Sequence, residues 1–319
     1  MDFYGYMRPN GKAGARNYVL LLPVNRSLNF IASNVERMTR NTRHFEIPAE
    51  TGRTEVDREV IARTLIGLMH NANVGGIVLL AVKSGAGSAY KNMCAERFEE
   101  EARKTGKPFR IVYLTNVGGS YNMLGETLRL TREVLLEVSD FRRENCPLSA
   151  LTLGVKCGTS DATSGIAGNP CVGAAFDQLI RAGGTAFFSE TTEIIGAEDL
   201  VAKRAVNESV AKKILSAARH WEDKAKATGE DIRKINPIPA NIAAGISSLE
   251  EKSLGAIAKS GTSPIQDVLK YAEMPKGSGL YFVDSWMSSL SLPLCLTACG
   301  ATIMLYQMGG GKIAQHPMM

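Results

Sequence analysis

The chain has 319 residues, 45% hydrophobic and 22% charged. That composition excludes a disordered or fibrous protein and leaves room for about two domains. Its longest apolar runs, Tyr18–Val24 and Gly76–Val82, fall short of the ~20 residues a membrane span needs, so no membrane association is expected. The net charge of +5 lies in the first half, with 21 basic against 16 acidic residues up to Cys146 and 16 against 16 from Pro147 on; so small a surplus argues against nucleic acid and suits an acidic small molecule, an acidic partner surface or simply a solvated basic face.

Short apolar runs alternate with helical patterns along the whole chain, which predicts an α/β fold of two Rossmann-like halves with mostly parallel sheets, residues 1–146 and 147–319. In chain order the first strand is expected at Tyr18–Pro23 and a helix at Leu28–Met38. A second helix at Glu55–His70 carries Val56, Val60, Ile61, Leu65 and Leu68 at helical spacing. Strand Gly75–Val82, helix Met93–Lys104, strand Phe109–Leu114 and helix Met123–Val138 follow. The charged stretch Asp140–Ser149 reads as a linker. Beyond it come strand Leu151–Lys156, then a helix to Arg181 with Asn169 as N-cap and Pro170 at its first position. Strand Thr185–Ser189 leads to a long amphipathic region, Glu198–Ala227. A helix capped by Ser248 and Glu251 ends at Gly261. The last strands are Leu280–Val283 and Thr302–Tyr306, before the glycine run Gly309–Gly311.

No basic-then-apolar leader opens the sequence, so a cytoplasmic protein with reduced thiols is expected. Cys295 and Cys299 have no second pair at zinc-site spacing and read as buried thiols. Ligands in open α/β sheets gather beyond the carboxyl ends of strands, which selects a few loops. The first is Lys156-Cys157-Gly158-Thr159-Ser160-Asp161-Ala162-Thr163-Ser164-Gly165, rich in small residues, hydroxyls and one each of thiol, ammonium and carboxylate. Such a loop ahead of a helix start suits an anion; it also suits a tight polar connection. The second is Ser189–Glu193, where Glu190 and Glu193 suit a hard cation or a general base, or else the solvated first turn of a helix. In the third, Glu250-Glu251-Lys252, Glu251 reads as a helix cap. The stretch Gly85–Ala89 follows a strand but lacks a dinucleotide fingerprint.

Several of these stretches resemble the altronate/galactarate dehydratase family, which includes the large subunit of sulfolactate sulfo-lyase. They are Gly5–Gly11 with Gly14–Tyr18, Asn73–Gly76, Lys156–Gly165 with Asn169-Pro170, Gly183–Thr185, Ser189–Thr191, Gly196–Glu198, Asn236-Pro237, Leu249–Gly255 and Gly261–Pro264. The resemblance covers nearly the whole chain. It implies a lyase that removes the proton α to a carboxylate and expels a β-hydroxyl or sulfite, with a divalent cation (iron or manganese, or magnesium) on the enediolate. Carried onto this sequence, it implies Lys156, Cys157, Asp161 and Glu190 as catalytic residues. Arg16, Asn17, Ser160, Ser164, Asn169 and Lys252 would bind substrate, and Glu190, Glu193 and Asp161 would hold metal. It also implies an acidic substrate, a homo-oligomer and a small β-rich partner carried on a separate polypeptide.

The sequence departs from the family pattern in its first half. Asn25-Arg26-Ser27, Ala49–Arg53 and Lys83-Ser84-Gly85 stand where the family carries cysteine- and histidine-containing turns. Near the end, Asp284–Met287 and Tyr306–Gly310 also differ, and the tail after Gly311 is short. Basic Arg26, Arg53 and Lys83 in place of soft ligands favour an anion or a partner there. A diverged relative that binds sugar acids without turning them over is the competing expectation.

Overall fold

A computed structural model of the chain describes residues 1–49, 51–83, 90–310 and 316–319. Glu50, the Gly85–Ala89 stretch and Gly311 therefore lie outside the described residues. The chain divides into two compact units, Asp2–Cys146 with Pro317–Met319, and Pro147–His316 with Met1.

The first unit contains β1 (Asp2–Met7), β2 (Ala13–Gly14), β3 (Tyr18–Pro23), β4 (Thr42–His44), β5 (Val74–Ala81), β6 (Phe109–Tyr113) and β7 (Glu144–Pro147). Four of them form a parallel sheet in the order β4-β3-β5-β6. Helices Asn29–Met38, Glu55–His70 and Ala95–Lys104 make the crossovers. The second of these starts where Thr54 and Asp57 form a reciprocal capping box. All eight residues of β5 are buried, as a strand covered on both faces requires. The pair Gly75-Gly76 has a packing cause: a Cβ on Gly76 would fall 2.4 Å from Val134 and 2.8 Å from Val138 of helix Ser120–Ser139.

The stretch expected as a linker holds β7, which joins β1 and β2 in a small three-stranded sheet. Only Cys146 of β7 is buried, so its pairing leaves no apolar signature in the sequence.

The second unit is built on β8 (Thr152–Cys157), β9 (Thr185–Phe188), β10 (Ile265–Leu269), β11 (Gly279–Val283) and β12 (Ile303–Gln307). They form one sheet in the order β10-β11-β9-β8-β12, with every neighbouring pair parallel. The two parallel sheets and their crossover helices make the α/β architecture expected from the alternation. β8 has the next strand, β9, on one side and the last strand, β12, on the other. The loops leaving β8 and β12 thus flank a point where the chain's direction across the sheet switches, the place such sheets offer to ligands.

Two helical expectations change. The region Glu198–Ala227 is two helices, Glu198–Ala202 and Glu208–Ala227, because Asn207 turns extended and caps the second through Val210 N at 3.0 Å. Asn169 is no N-cap: a π turn, Ser164–Gly168, runs straight into helix Asn169–Arg181, and Asn169 itself is α-helical. On that helix Asp177 faces inward and accepts hydrogen bonds of 2.6–3.0 Å from the backbone and hydroxyls of Thr262 and Ser263. Cys295 and Cys299 are buried and all six cysteines are free. No helix among the described residues is long and apolar enough to cross a membrane.

Candidate active site

The end of β8 and the turn after β9 each carry a buried charged residue. β8 delivers Lys156 and Cys157. Directly after β9, Glu190 adopts a left-handed backbone (φ 73°), unusual for a residue with a Cβ. Its carboxylate is fully buried and saturated. Oε1 accepts from Lys156 Nζ at 2.6 Å, and Oε2 accepts from Lys259 Nζ at 2.7 Å and from the Cys157 backbone N–H at 3.0 Å. Lys259 also donates to Glu193 Oε2 at 2.5 Å, and Lys156 to the Cys157 carbonyl. Two cations and two anions thus form an internal network, each side chain at most 3% exposed.

Burial alone would raise the Glu190 carboxyl, but Lys259 and Lys156 outweigh it and hold it below its ordinary value. Burial would lower Lys259, but Glu190 and Glu193 hold it above the ordinary lysine value. Burial, with Glu193 close by, pushes the Cys157 thiol up to about 11, so it is a neutral thiol at pH 7. A short 3-10 turn, Thr191–Glu193, does begin after Glu190, but it is not solvated: Glu190 and Glu193 are both interior.

A cavity of about 340 Å³ lies one residue away from this network. Cys157 Sγ is 3.4 Å from Ser160 Oγ, and Ser160 lines the cavity with Asp161, Ser164, Asn169, Glu251 and Lys252. Lys252 is buried and donates to Asn236 Oδ1 at 2.6 Å and Asn241 Oδ1 at 2.8 Å. Asn241 Nδ2 in turn holds the Ser160 carbonyl at 3.0 Å. Burial lowers Lys252 from its ordinary pKa. Asp161 and Ser164 cap each other: Asp161 Oδ1 accepts from Ser164 N, and Ser164 Oγ accepts from Asp161 N. Hydrogen bonds from Thr163 and Ser164 hold the Asp161 carboxyl below its ordinary value. Gly309, after β12, makes room for it, since a Cβ there would fall 2.2 Å from the Asp161 carboxylate. Asn169 Nδ2 donates to the Gly255 carbonyl at 2.8 Å, and its buried Oδ1 meets no donor among the described residues.

Of the residues expected at the site, Ser160, Asp161, Ser164, Asn169 and Lys252 share the cavity, while Lys156, Cys157, Glu190 and Glu193 belong to the adjoining network. Arg16 and Asn17 are in the other unit. Arg16 is exposed, and Asn17 accepts from Arg8 at 2.9 Å and donates to the Val138 carbonyl at 2.9 Å, tying the start of β3 to a helix end. Lys259, Asn236 and Asn241 were not anticipated as site residues. The one trace of Lys259 in the sequence is a lone lysine within Ala256–Gly261, a stretch of otherwise small or apolar residues.

The three carboxylates expected to hold a divalent cation do not fit one. Ammonium groups already neutralise Glu190 and Glu193, and Asp161 Oδ1 is filled by its own turn. Among the described residues no group of three or more His, Cys, Asp or Glu side chains converges. A wider groove of about 1190 Å³ runs along helix Glu208–Ala227. Two of the lysines lining it are paired, Lys212 with Glu208 and Lys213 with Asp267, and it adjoins none of the residues above.

Residues 148–319 match the family model described as D-galactarate/altronate dehydratase, C-terminal, and residues 5–139 match that of D-galactarate dehydratase/altronate hydrolase, second domain. The chain is 33% identical to the (2R)-sulfolactate sulfo-lyase subunit beta of Chromohalobacter salexigens, over 99% of this chain and 80% of that one. It is 32% identical to an altronate dehydratase of Bacillus subtilis and 31% identical to the galactarate dehydratase (L-threo-forming) of Escherichia coli. Both alignments cover 97% of this chain but 62% of the relative, so the chain spans less than two thirds of either dehydratase.

Proposed function

This chain belongs to the D-galactarate/altronate dehydratase family of hydro-lyases, and from that premise we propose that it dehydrates a sugar acid to a 2-keto-3-deoxy acid. The observation that carries this reading is the cavity that presents Lys252 and Asp161 together. Two of the three ammonium protons of Lys252 are held by Asn236 and Asn241, which leaves the third for a substrate carboxylate. Neutralising that carboxylate makes the α-proton more acidic. Asp161, whose Oδ2 takes none of the described hydrogen bonds, is the acceptor for that proton. Ser160, Ser164 and Asn169 offer hydroxyl and amide groups to the sugar hydroxyls.

In the reaction the α C–H bond breaks and its electron pair forms the enediolate. The pair then returns to form the Cα–Cβ double bond as the Cβ–O bond breaks; the β-hydroxyl leaves as water with the proton that Asp161 took from Cα, and the enol tautomerises to the keto acid. The Lys156–Glu190–Lys259–Glu193 network fixes the ends of β8 and β9, and through Cys157 and Ser160 one wall of the cavity.

A second reading, elimination of sulfite by a large subunit, is favoured by the 80% coverage of the sulfo-lyase subunit beta. In either reading the enzyme works with a further subunit, as the name subunit beta of the sulfo-lyase relative suggests. The test is keto-acid production from aldonates, aldarates and sulfolactate, with and without divalent metal and a candidate small subunit. Turnover of at least one acid, lost in Lys252→Ala, is expected. No keto acid in any combination would refute the proposal.

A further inference from the structure

We infer that Asn236 and Asn241 are positioning residues: their neutral amides hold the Lys252 ammonium without cancelling its charge, which leaves that charge for a substrate carboxylate. The inference rests on the cavity being the substrate site, as proposed above. Among the described residues of the unit Pro147–His316, three lysines are buried, Lys156, Lys252 and Lys259. They are held in two different ways. Lys156 and Lys259 end on the carboxylates of Glu190 and Glu193, so their charges are answered inside the protein. Lys252 donates instead to two carboxamide oxygens, Asn236 Oδ1 at 2.6 Å and Asn241 Oδ1 at 2.8 Å, and it alone of the three lines the cavity.

Chemistry fixes the orientation of both amides. An ammonium has no acceptor, so each amide must turn its oxygen to Nζ. The Asn241 nitrogen then meets the Ser160 carbonyl, to which it donates at 3.0 Å. Asn241 is buried, and its oxygen also accepts from the Ile238 backbone N–H at the start of the short helix Pro239–Ala243. One side chain thus ties the lysine to the loop that carries Ser160 and Asp161. Holding two N–H bonds of a tetrahedral ammonium fixes the direction of the third. An amide dipole does this without a net charge. A carboxylate at either position would pair with the lysine itself and repel the carboxylate of the substrate. The charged and titratable groups that act on Lys252 do not take that place. Of these, Glu193 and Glu190 are engaged with Lys259 and Lys156, and the Cys157 thiol is neutral at pH 7. Asp161 and Glu251, which line the cavity, accept from their own turns. The arrangement serves any acid whose reacting end is a carboxylate, with one anionic group or two.

The decisive measurement is calorimetric binding to the full chain of a 3-deoxyaldonate and of the 3-deoxyaldarate of the same carbon skeleton. Neither can lose a β-hydroxyl, so binding is read without turnover. Asn236→Asp keeps the oxygen that Lys252 uses and adds a charge, whereas Asn236→Ala removes the oxygen and adds none. The order of the two variants is diagnostic. N236D is expected to bind at least tenfold more weakly than the unaltered chain, and more weakly than N236A, with a melting temperature no lower than that of the unaltered chain. The two should also shift the alkaline loss of binding in opposite directions. A carboxylate beside the ammonium favours its charged form, so the loss moves to higher pH in N236D; a missing acceptor disfavours that form, so it moves to lower pH in N236A. Unweakened binding in N236D, or weaker binding in N236A than in N236D, would overturn the inference and leave Asn236 a structural hydrogen-bond partner. Should N236D not fold, the N236A shift alone carries the test, and a pH of loss that stays in place would overturn the inference. The expected order in a protein that turns over no acid would leave the positioning role standing and refute the lyase. Turnover that N236D leaves unchanged would do the reverse. Failure of both analogues to bind the unaltered chain would remove the cavity as the site, and the positioning role with it.

Discussion

Replacing Lys259 by methionine tests whether the buried network is one electrostatic unit. Lys259 is 2% exposed, and its partners Glu190 and Glu193 are 0% and 2% exposed, so water cannot take over the ammonium's role. Glu190 would keep Lys156 and the Cys157 N–H, whereas Glu193 would lose its ion-pair partner. Removing one partner of a buried pair costs about 3–5 kcal/mol, because a charge stays behind uncompensated. Adding Glu193→Gln restores neutrality, with Lys156 and Glu190 still paired, and should recover about 2 kcal/mol or more, a coupling measurable as a double-mutant cycle.

The assay is built into the chain, since both tryptophans, Trp221 and Trp286, lie in the unit Pro147–His316, and their fluorescence in urea follows that unit. The deficit also has a pH signature. A buried carboxyl without its cation has a raised folded pKa, so the native variant holds more protons than the unfolded chain. Its stability therefore rises, and the deficit shrinks, as pH falls from 7 toward that raised value. A cost below about 1 kcal/mol for K259M, or a double variant no more stable than the single one, would refute the account.

Three further outcomes are expected. Asp177→Ala strips the acceptor from two backbone N–H groups and two hydroxyls of Thr262 and Ser263, and should cost about 2–4 kcal/mol in the same tryptophan transition, while a loss within ~0.5 kcal/mol would show the clamp to be redundant. Gly309→Ala places a methyl 2.2 Å from the Asp161 carboxylate and should lower kcat/KM at least tenfold with little change in urea midpoint; unchanged kinetics would show that Asp161 is not held where the reaction needs it. Burial lowers Lys252, and its protonated form binds the carboxylate, so activity should fall as pH rises through a value below the ordinary 10.5. Lys252→Arg, which does not titrate in that range, should retain binding and lose this alkaline limb, and a limb that persists in the variant belongs to another group.

The elements that could be read in advance are those whose burial writes a pattern. Tyr18–Pro23 and Glu55–His70 have the bounds expected from their apolar spacing. β4 (Thr42–His44) and β7 (Glu144–Pro147) left no such trace: they are short and polar, and pairing to a neighbour rather than apolar burial defines them. The cavity residues fall between these cases. Asp161 and Ser164 stand at the spacing of a reciprocal cap, so the turn that positions them is local and legible. Lys252 is one step past Glu251, whose cap was expected, but of the two asparagines that hold its ammonium Asn236 is 16 residues away and Asn241, on the short helix Pro239–Ala243, is 11 away.

Glu190 and Glu193 show why local reading stops where it does. Two glutamates three residues apart at a strand end suit a cation site, a general base or the solvated start of a helix, and each of these readings uses only the carboxylates. None of them includes the lysines. What decides is a pair of ammonium groups 34 and 69 residues from Glu190 in the chain, delivered by the end of β8 and by the short 3-10 turn Ala258–Ser260. No spacing rule connects those positions, because the distance between them is set by the parallel sheet and by the helices that separate β9 from β10. The sheet brings Lys156 to Glu190 because β8 and β9 are neighbours, and it also brings the loop after β8 beside the one after β12, where the absent side chain of Gly309 admits Asp161. The same strand order that buries the four-charge network therefore opens the cavity next to it, so a change that disorders the network is expected to reach the chemistry through Cys157 and Ser160 without touching substrate.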